Sequence, residues 1–357
     1  MSMKIKNKNA IVLTDGILAE PYAKTAHGLI RYSSRFQIKA ILDRFHDGVD
    51  AGDQLDGINR RIPVTGSLDS ILEQFTIHWA IVGIAPVGGK MTPTLKRDII
   101  ECINHGISIV SGLHDYAGYD PDIAASAEQS GVDILDIRKP KLPEKLHGFT
   151  GKIASLTIPR IAVLGMDCAI GKRTTARIIT QALCRKGLKT EMIYTGQTGW
   201  LQGGDYGFIL DATLNDFVSG ELEHQILTCA KKEEPDLIII EGQSGLRSPY
   251  GPCGAEFIVS GGAKGVILQI DPSRQYFDGL EKFKLKIGSV KDEVAIIRLL
   301  GAEVIAVSIN SSNLSDTELE ITKVRLSKEL GIPVIALFKD DEKMILKPIF
   351  HFLEKQK

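Results

Sequence analysis

The stretch IAVLGMDCAIGKRTTA, residues 161–176, decides how this chain is read. An apolar run ends at Gly165. Five residues follow, and then Gly171, Lys172, Arg173, Thr174 and Thr175 open a helix-forming segment. A strand, a glycine-bounded loop and a helix start are the parts of an anion cradle, because main-chain N–H groups converge there and the helix dipole favours negative charge. Gly171 lets the backbone come close to a ligand, and Lys172 adds a point charge for phosphate oxygens. The expected phosphate contacts are Gly165, Asp167, Cys168, Gly171, Lys172, Arg173, Thr174 and Thr175. Two features depart from the usual phosphate loop. Five residues rather than four separate the glycines, and Arg173 stands where a Ser or Thr normally holds magnesium. These departures favour anion binding over magnesium binding. If magnesium binds, Thr174, Asp211 and Glu241 are the ligands at hand. A plain strand-to-helix turn with a solvated Lys–Arg pair is the alternative.

Outward from that loop, strand-like and helical runs alternate. After it come a helix over 172–186, TEMIYTG (190–196), a helix over 220–232, DLIIIEG (236–242), GVILQID (265–271), EVIAVSIN (303–310), a helix over 319–330 and IPVIALF (332–338). Before it lie AIVLTD (10–15), IKAILD (38–43), WAIVGIA (79–85) and ISIVSG (107–112), with helices expected over 23–33, 68–74 and 96–105. Strands that alternate with helices, and that read as continuous apolar runs, predict parallel sheets covered on both faces. RKPKLPEKLHGFTGK (138–152), with its prolines and charges, has linker composition. The expectation is therefore α/β, with two doubly wound domains of mostly parallel sheet: Rossmann-like over 1–140 and P-loop NTPase-like over 141–357.

Composition agrees with that scale. The 357 residues make about two domains at roughly 150 each. The usage, 43% hydrophobic and 24% charged, is globular and excludes a disordered or fibrous chain. With 43 basic against 44 acidic residues the net charge is -1, which leaves no basic excess for general nucleic-acid binding. The opening apolar patch is closed at Asp15, short of the roughly 7–15 residues of a signal peptide. No run reaches the ~18 apolar residues of a membrane helix. The five cysteines are widely spaced, with no CxxC pair to hold zinc. A cytoplasmic protein with free thiols, acting on small molecules as a homo-oligomer, is expected, with neither membrane nor nucleic acid as partner.

Further candidates cluster at strand ends, where ligands bind in open α/β sheets. Glu241 closes the third strand of the second half. A carboxylate there can hold a metal, take a proton or orient an ammonium; it can also simply cap a turn. Gln197 and Thr198 lie between Gly196 and Gly199; Gln243 and Ser244 lie in EGQSG. Asp211, Asn215, Asp216 and Glu221 follow in DATLNDFVSGELE. Asp216 is suited to pairing with Lys172 or a metal, and equally to capping the helix at Gly220. Arg247 and Arg274 are candidates to clamp a carboxylate or phosphate, and Asn310 a base or ribose. In the first half no GxGxxG follows the first strand, so a dinucleotide site there rests on Asp43 alone. Gly88 and Gly89 could form an anion loop, and His114 beside Asp115 a base with a set tautomer.

With GMDCAIGKRTTA, EGQSGL, DATLNDFVSGELE, LQIDPSRQYFDG and SGLHDY, the chain resembles over nearly its whole length a formerly uncharacterised bacterial and archaeal family. That family joins a Rossmann-like N-terminal domain to a P-loop C-terminal domain and includes D-glutamate N-acetyltransferases. The second half is also similar to the dethiobiotin synthetase group, which shares the Gly-x5-Gly-Lys spacing and a strand ending in Glu-Gly. The first resemblance implies acetyl-CoA as donor, D-glutamate or a similar amino acid as acceptor, and an N-acyl amino acid racemase or epimerase as pathway partner. The phosphate loop would then hold the CoA diphosphate. Lys172, Glu241 and Asp216 are the catalytic candidates; Gln197, Thr198, Gln243, Ser244, Arg247 and His114 are the substrate contacts. The second resemblance implies instead an ATP- and magnesium-dependent ligase or kinase. A nucleotide-binding regulator without turnover is the third reading.

Overall fold

The structure, a computed structural model, describes residues 5–356. The chain divides into two compact units: Met1–Lys141 with Gln197–Asp205, and Leu142–Gly196 with Tyr206–Lys357. Each is α/β, built on one parallel sheet with interleaved helices.

The first unit carries strands β1 (Lys8–Leu13), β2 (Phe36–Leu42), β3 (Val64–Thr65), β4 (Trp79–Val82), β5 (Ser108–Ser111) and β6 (Ile134–Asp136). Helices α1 (Lys24–Arg31), α2 (Leu68–Gln74), α3 (Pro93–Asn104) and α4 (Pro121–Ser130) alternate with them. The strand order is β3-β2-β1-β4-β5-β6, every pairing parallel. This doubly wound order places a crevice where the order reverses, between β1 and β4. β1 and β4 bury nearly all their side chains because helices cover both faces of the sheet. The third helix begins at Pro93, three residues before its apolar periodicity does, because Thr92 caps it by accepting from the Leu95 amide and Pro93 fits the first turn.

The second unit carries β7 (Arg160–Gly165), α5 (Lys172–Arg185), β8 (Thr190–Tyr194), β9 (Tyr206–Gly207), α7 (Asn215–Glu233), β10 (Leu237–Glu241), α8 (Ala255–Val259) and β11 (Gly265–Ile270). It ends with α9 (Val290–Leu299), β12 (Glu303–Ile309), α10 (Asp316–Leu330), β13 (Val334–Ile335) and α11 (Lys343–Lys355). The sheet order is β13-β12-β11-β7-β10-β8-β9, again parallel. Burying each isoleucine of β10, LIIIE, is worth about 1.5–3 kcal/mol, which suits this strand to the sheet's interior, beside the central β7.

Between β8 and β9 the chain forms α6 (Gln197–Leu201), which belongs to the first unit. There Leu201 joins a core with Leu29 and Phe36. Arg35 secures the segment by donating to the Trp200 carbonyl at 2.6 Å and the Gly204 carbonyl at 2.8 Å, and its guanidinium covers the Trp200 ring at 4.3 Å.

Three expectations need correction. α7 starts at Asn215, five residues before Gly220, so Asp216 lies in its first turn and is not its cap. Gly220 sits inside the helix because a Cβ there would stand 2.0 Å from the His147 carbonyl; glycine lets the chain segment ahead of β7 cross the helix. That segment, read as linker, is fastened: Glu221 accepts from the His147 amide and ring, and Glu223 from Thr150 and Ile153. The strand expected over 332–338 shrinks to Val334–Ile335, because Asp340 takes the Ala336 amide at 2.8 Å and turns the chain.

Candidate functional site

The site of the second unit is built where β7, β10 and β11 end together. Parallel register sets Glu241 beside Val163 and Gln269 beside Gly165. Two glycines after β10 make close approach possible. A Cβ on Gly242 would stand 2.3 Å from the Val163 carbonyl, and one on Gly245 would stand 2.8 Å from the Gly165 carbonyl. The EGQSG segment therefore lies directly on the 165–171 loop. Gly171 starts α5 with φ +108°, a conformation that favours glycine, and supplies no side chain to cap the helix. The first amides of α5 are consequently the kind that an anion satisfies.

Lys172 is buried and turned back into this loop. Its ammonium donates to the Asp167 carbonyl and, at 2.7 Å, to the Ser244 carbonyl. Burial lowers its pKa to about 8, against the opposing pull of Cys168, Asp167, Cys253 and Glu241. Asp167 orders the loop from inside. It accepts from the Cys168 amide at 2.7 Å, from Arg274 at 2.9 Å and from the Asp278 amide at 3.0 Å. Thr175 donates to Gln269 at 2.6 Å and so ties α5 to β11, whereas Thr174 is half-buried.

Glu241 is buried 3% exposed at the end of β10. It accepts from the Thr195 amide at 3.1 Å, and the Gly196 amide also bonds it. Burial raises its pKa above the ordinary carboxylate range, while the charges of Arg173 first and Lys172 next act to lower it. Gln243 joins the same turn by donating to the Thr195 hydroxyl at 3.1 Å. Lys172, Arg173, Asp167, Cys168, Ser244, Gln243 and Glu241 thus form one cluster: two cations and two buried carboxyls beside a helix start. The Glu241 carboxyl, raised by burial, is of the kind that acts in proton transfer.

Other expected residues have different partners. Arg247 donates to Glu293 at 2.5 Å and to the Ser289 carbonyl at 2.8 Å. Arg274 is held by Asp167, Asp271 and the Cys168 carbonyl, so it shapes the loop. Asn310 accepts from the Ser312 amide at 3.1 Å, closing the turn after β12. Asp211 and Asp216 are exposed, on a 3-10 turn and in the first turn of α7. Glu221 is spent on His147. Among the described residues no group of three or more His, Cys, Asp or Glu is placed to hold a metal.

His114, Gln197 and Thr198 belong to the first unit. Arg138 bonds both His114 and Gln197; Gln197 also donates to Thr25 at 3.4 Å, and Thr198 meets Thr25 at 3.2 Å. Asp115 accepts from the Met91 amide, and its own amide bonds the Gly89 carbonyl. Asp43 accepts from Thr14 at 2.6 Å, Leu18 at 3.1 Å, Phe45 at 3.0 Å and His46 at 2.9 Å. Burial alone would raise its pKa, but these hydrogen bonds outweigh it and draw the carboxyl below its ordinary value. The sequence reading missed Arg138, whose position next to Lys139 and Pro140 resembles any linker charge.

The parallel sheets, the β3-β2-β1-β4-β5-β6 order of one unit and the glycine–lysine loop of the other define a two-part α/β protein with a Rossmann-like and a P-loop domain. Residues 147–346 match the P-loop domain of a family described as a domain of unknown function, DUF1611, and residues 44–140 match its Rossmann-like N-terminal domain. The chain belongs to the DUF1611 family, as its resemblance implied. A crystal structure of a DUF1611 family protein from Anabaena variabilis is 25% identical, with a TM-score of 0.87 over 97% of this chain and 100% of that one. Two relatives carry the name D-glutamate N-acetyltransferase. One, from Tritonibacter scottomollicae, is 27% identical over 71% of this chain and 76% of its own length. The other, from a Pseudoalteromonas species, is 26% identical over 73% and 77%. No helix among the described residues is long and apolar enough to cross a membrane.

Proposed function

We propose that the protein is an N-acyltransferase that moves an acetyl group from acetyl-CoA to the amine of D-glutamate or a similar amino acid. The observation that carries this reading is Arg173. It occupies the position where phosphate loops keep the magnesium-binding hydroxyl, and its charge acts on the buried Glu241. A loop so equipped binds phosphate without the metal that phosphoryl transfer uses. The names of the two relatives support the same chemistry.

In this reading the amides at the start of α5 and the Lys172 ammonium hold the donor's diphosphate. The anion takes over the place that the Asp167 and Ser244 carbonyls hold around Lys172. Glu241 takes a proton from the acceptor's ammonium. The freed nitrogen then forms a bond to the acetyl carbonyl carbon, the carbon–sulfur bond breaks, and the sulfur leaves as a thiolate that is protonated. One proton is released to solvent overall. A raised carboxyl pKa brings Glu241 closer to the ammonium's own, which eases that transfer. Arg247, already neutralised by Glu293, is left out of this scheme. All five cysteines are free, which fits a cytoplasmic setting.

The test is thiol release from acetyl-CoA in the presence of D-glutamate, with and without ATP and magnesium. Release that needs neither supports the assignment. ADP formation that requires the amino acid and magnesium would overturn it in favour of a ligase.

A further inference from the structure

A cleft of about 810 Å³ lies in the second unit, at the end of the sheet where β12 and β13 begin. β13 pairs with β12 only where Val334 and Ile335 meet Val307 and Ser308, so residues 303–306 of β12 have no strand beside them on that side. Apolar residues make up most of the lining, among them Val304, Ile305, Leu330, Ile332 and Ile335. Helix α11 gives the cleft two rows. Met344, Pro348 and Phe352 recur every four residues as an apolar row, and Lys347, His351 and Lys355 recur at the same spacing as a basic one. Residues four apart stack on one helix face, so each row is continuous. Arg298 of α9 adds a cation, and Glu303 is the one carboxylate of the lining. Among the described residues no ion pair engages Arg298, Lys347 or Lys355.

Arg298 and Lys355 stand in the last turns of α9 and α11, where a helix end already favours a cation. Lys347 stands in the first half of α11, where the dipole gives a cation no advantage. The chain thus leaves a basic row unanswered beside an apolar one. An anion with a hydrocarbon tail fits both: the tail gains by leaving water, and the head meets positive charge. Eight residues at 1.5 Å each make a row about 12 Å long, the extended length of an alkyl chain of roughly ten carbons. The cleft volume lies within the range of small-molecule sites, about 300–1,000 Å³. We propose that this cleft binds a medium-chain alkyl carboxylate, with its chain along Met344, Pro348 and Phe352 and its head on the row of Lys347, His351 and Lys355. The site sits at the strand starts and the phosphate loop at the strand ends, so this inference does not depend on the acyl-transfer reading.

Calorimetry on the full chain, below the micelle concentration of each probe, compares decanoate with decyltrimethylammonium and with acetate. Decanoate is expected to bind at least about tenfold tighter than either, since one lacks the negative head and the other the chain. In the double variant Lys347→Gln with Lys355→Gln decanoate is expected to bind about tenfold more weakly, the scale of lost charge-assisted contacts. Met344→Asp, which sets a negative charge in the apolar row, is expected to weaken it by a similar factor. Circular dichroism checks that the variants are folded, and all three positions are exposed. No decanoate binding, equal binding of the cationic probe, or an affinity unchanged in either variant would overturn the proposal. Binding to vesicles of anionic lipid but not to decanoate would overturn it too, by making the basic row a membrane contact.

Discussion

The two units share a doubly wound plan, yet their carboxyl edges are used in opposite ways. In the first unit the turn after β1 is filled by the protein itself. A Cβ on Gly16 would fall 2.1 Å from the Phe45 ring, and Asp43, at the position of a ribose-binding acid, is consumed by Thr14, Leu18, Phe45 and His46. In the second unit the turn after β7 leaves helix amides without a side-chain cap and sets a buried ammonium among carbonyls. Strand order alone therefore does not make a nucleotide site. The difference lies in how the first turn is filled: by side chains in the first unit, by backbone and a buried ammonium in the second.

The sharpest way to break this contrast is at Glu241. Glu241→Gln keeps size and hydrogen bonding but removes the base, and it should lower kcat about 10²–10⁴-fold with CoA affinity nearly unchanged. Wild-type turnover in that variant would remove Glu241 from the chemistry. Lys172→Met comes next: loss of a charge-assisted contact should weaken coenzyme A binding about 10–100-fold by calorimetry. Unchanged affinity would show that the loop is not the anion site.

Asp43→Ala probes the other side of the comparison. It should cost about 1–3 kcal/mol in urea unfolding, because buried donors lose their acceptor, and leave coenzyme A affinity as it was. A large loss of affinity would mean that the first unit's edge does serve a ligand. The contribution of Asp43 is present at neutral pH. Its folded-state pKa lies below the unfolded value, so it is lost as pH falls through the acid range.

The smallest effect is a pH slope. The Lys172 ammonium loses its proton at about 8 in the folded chain, against 10.5 as the ordinary value. Coenzyme A affinity should therefore fall as pH rises through 8, by up to about tenfold per unit. Stability should show the opposite sign over the same window. Between 8 and 10.5 the unfolded chain binds the extra proton, so the Lys172 contribution to stability rises with pH. Lys172→Met should flatten the affinity slope; a slope that persists in it assigns the titration elsewhere.

Much of this was legible in residues 161–176 and 236–245. Continuous apolar runs give buried parallel strands, and a glycine–lysine pair at a helix start gives a cradle, because both signals are local. Other features were hidden by distance along the chain. Arg274 is 107 residues from the Asp167 it neutralises, and Arg35 is 165 residues from the Trp200 carbonyl it holds. Gly220 looked like a helix boundary, since glycine breaks helices on average; its use as a crossing point depends on a backbone 73 residues earlier.

The chain's own order of residues determined two parallel α/β sheets, the glycine–lysine loop and the acid at the end of β10, since each depends on patterns within a few residues. Only the tertiary structure decided which neighbours each charge has. Arg247 and Arg274 are taken up by Glu293 and Asp167, whereas Lys172 and Arg173 gather around Glu241. The physical reason is that a buried charge is stable only beside its counter-charge or hydrogen-bond partners, and folding alone chooses those partners.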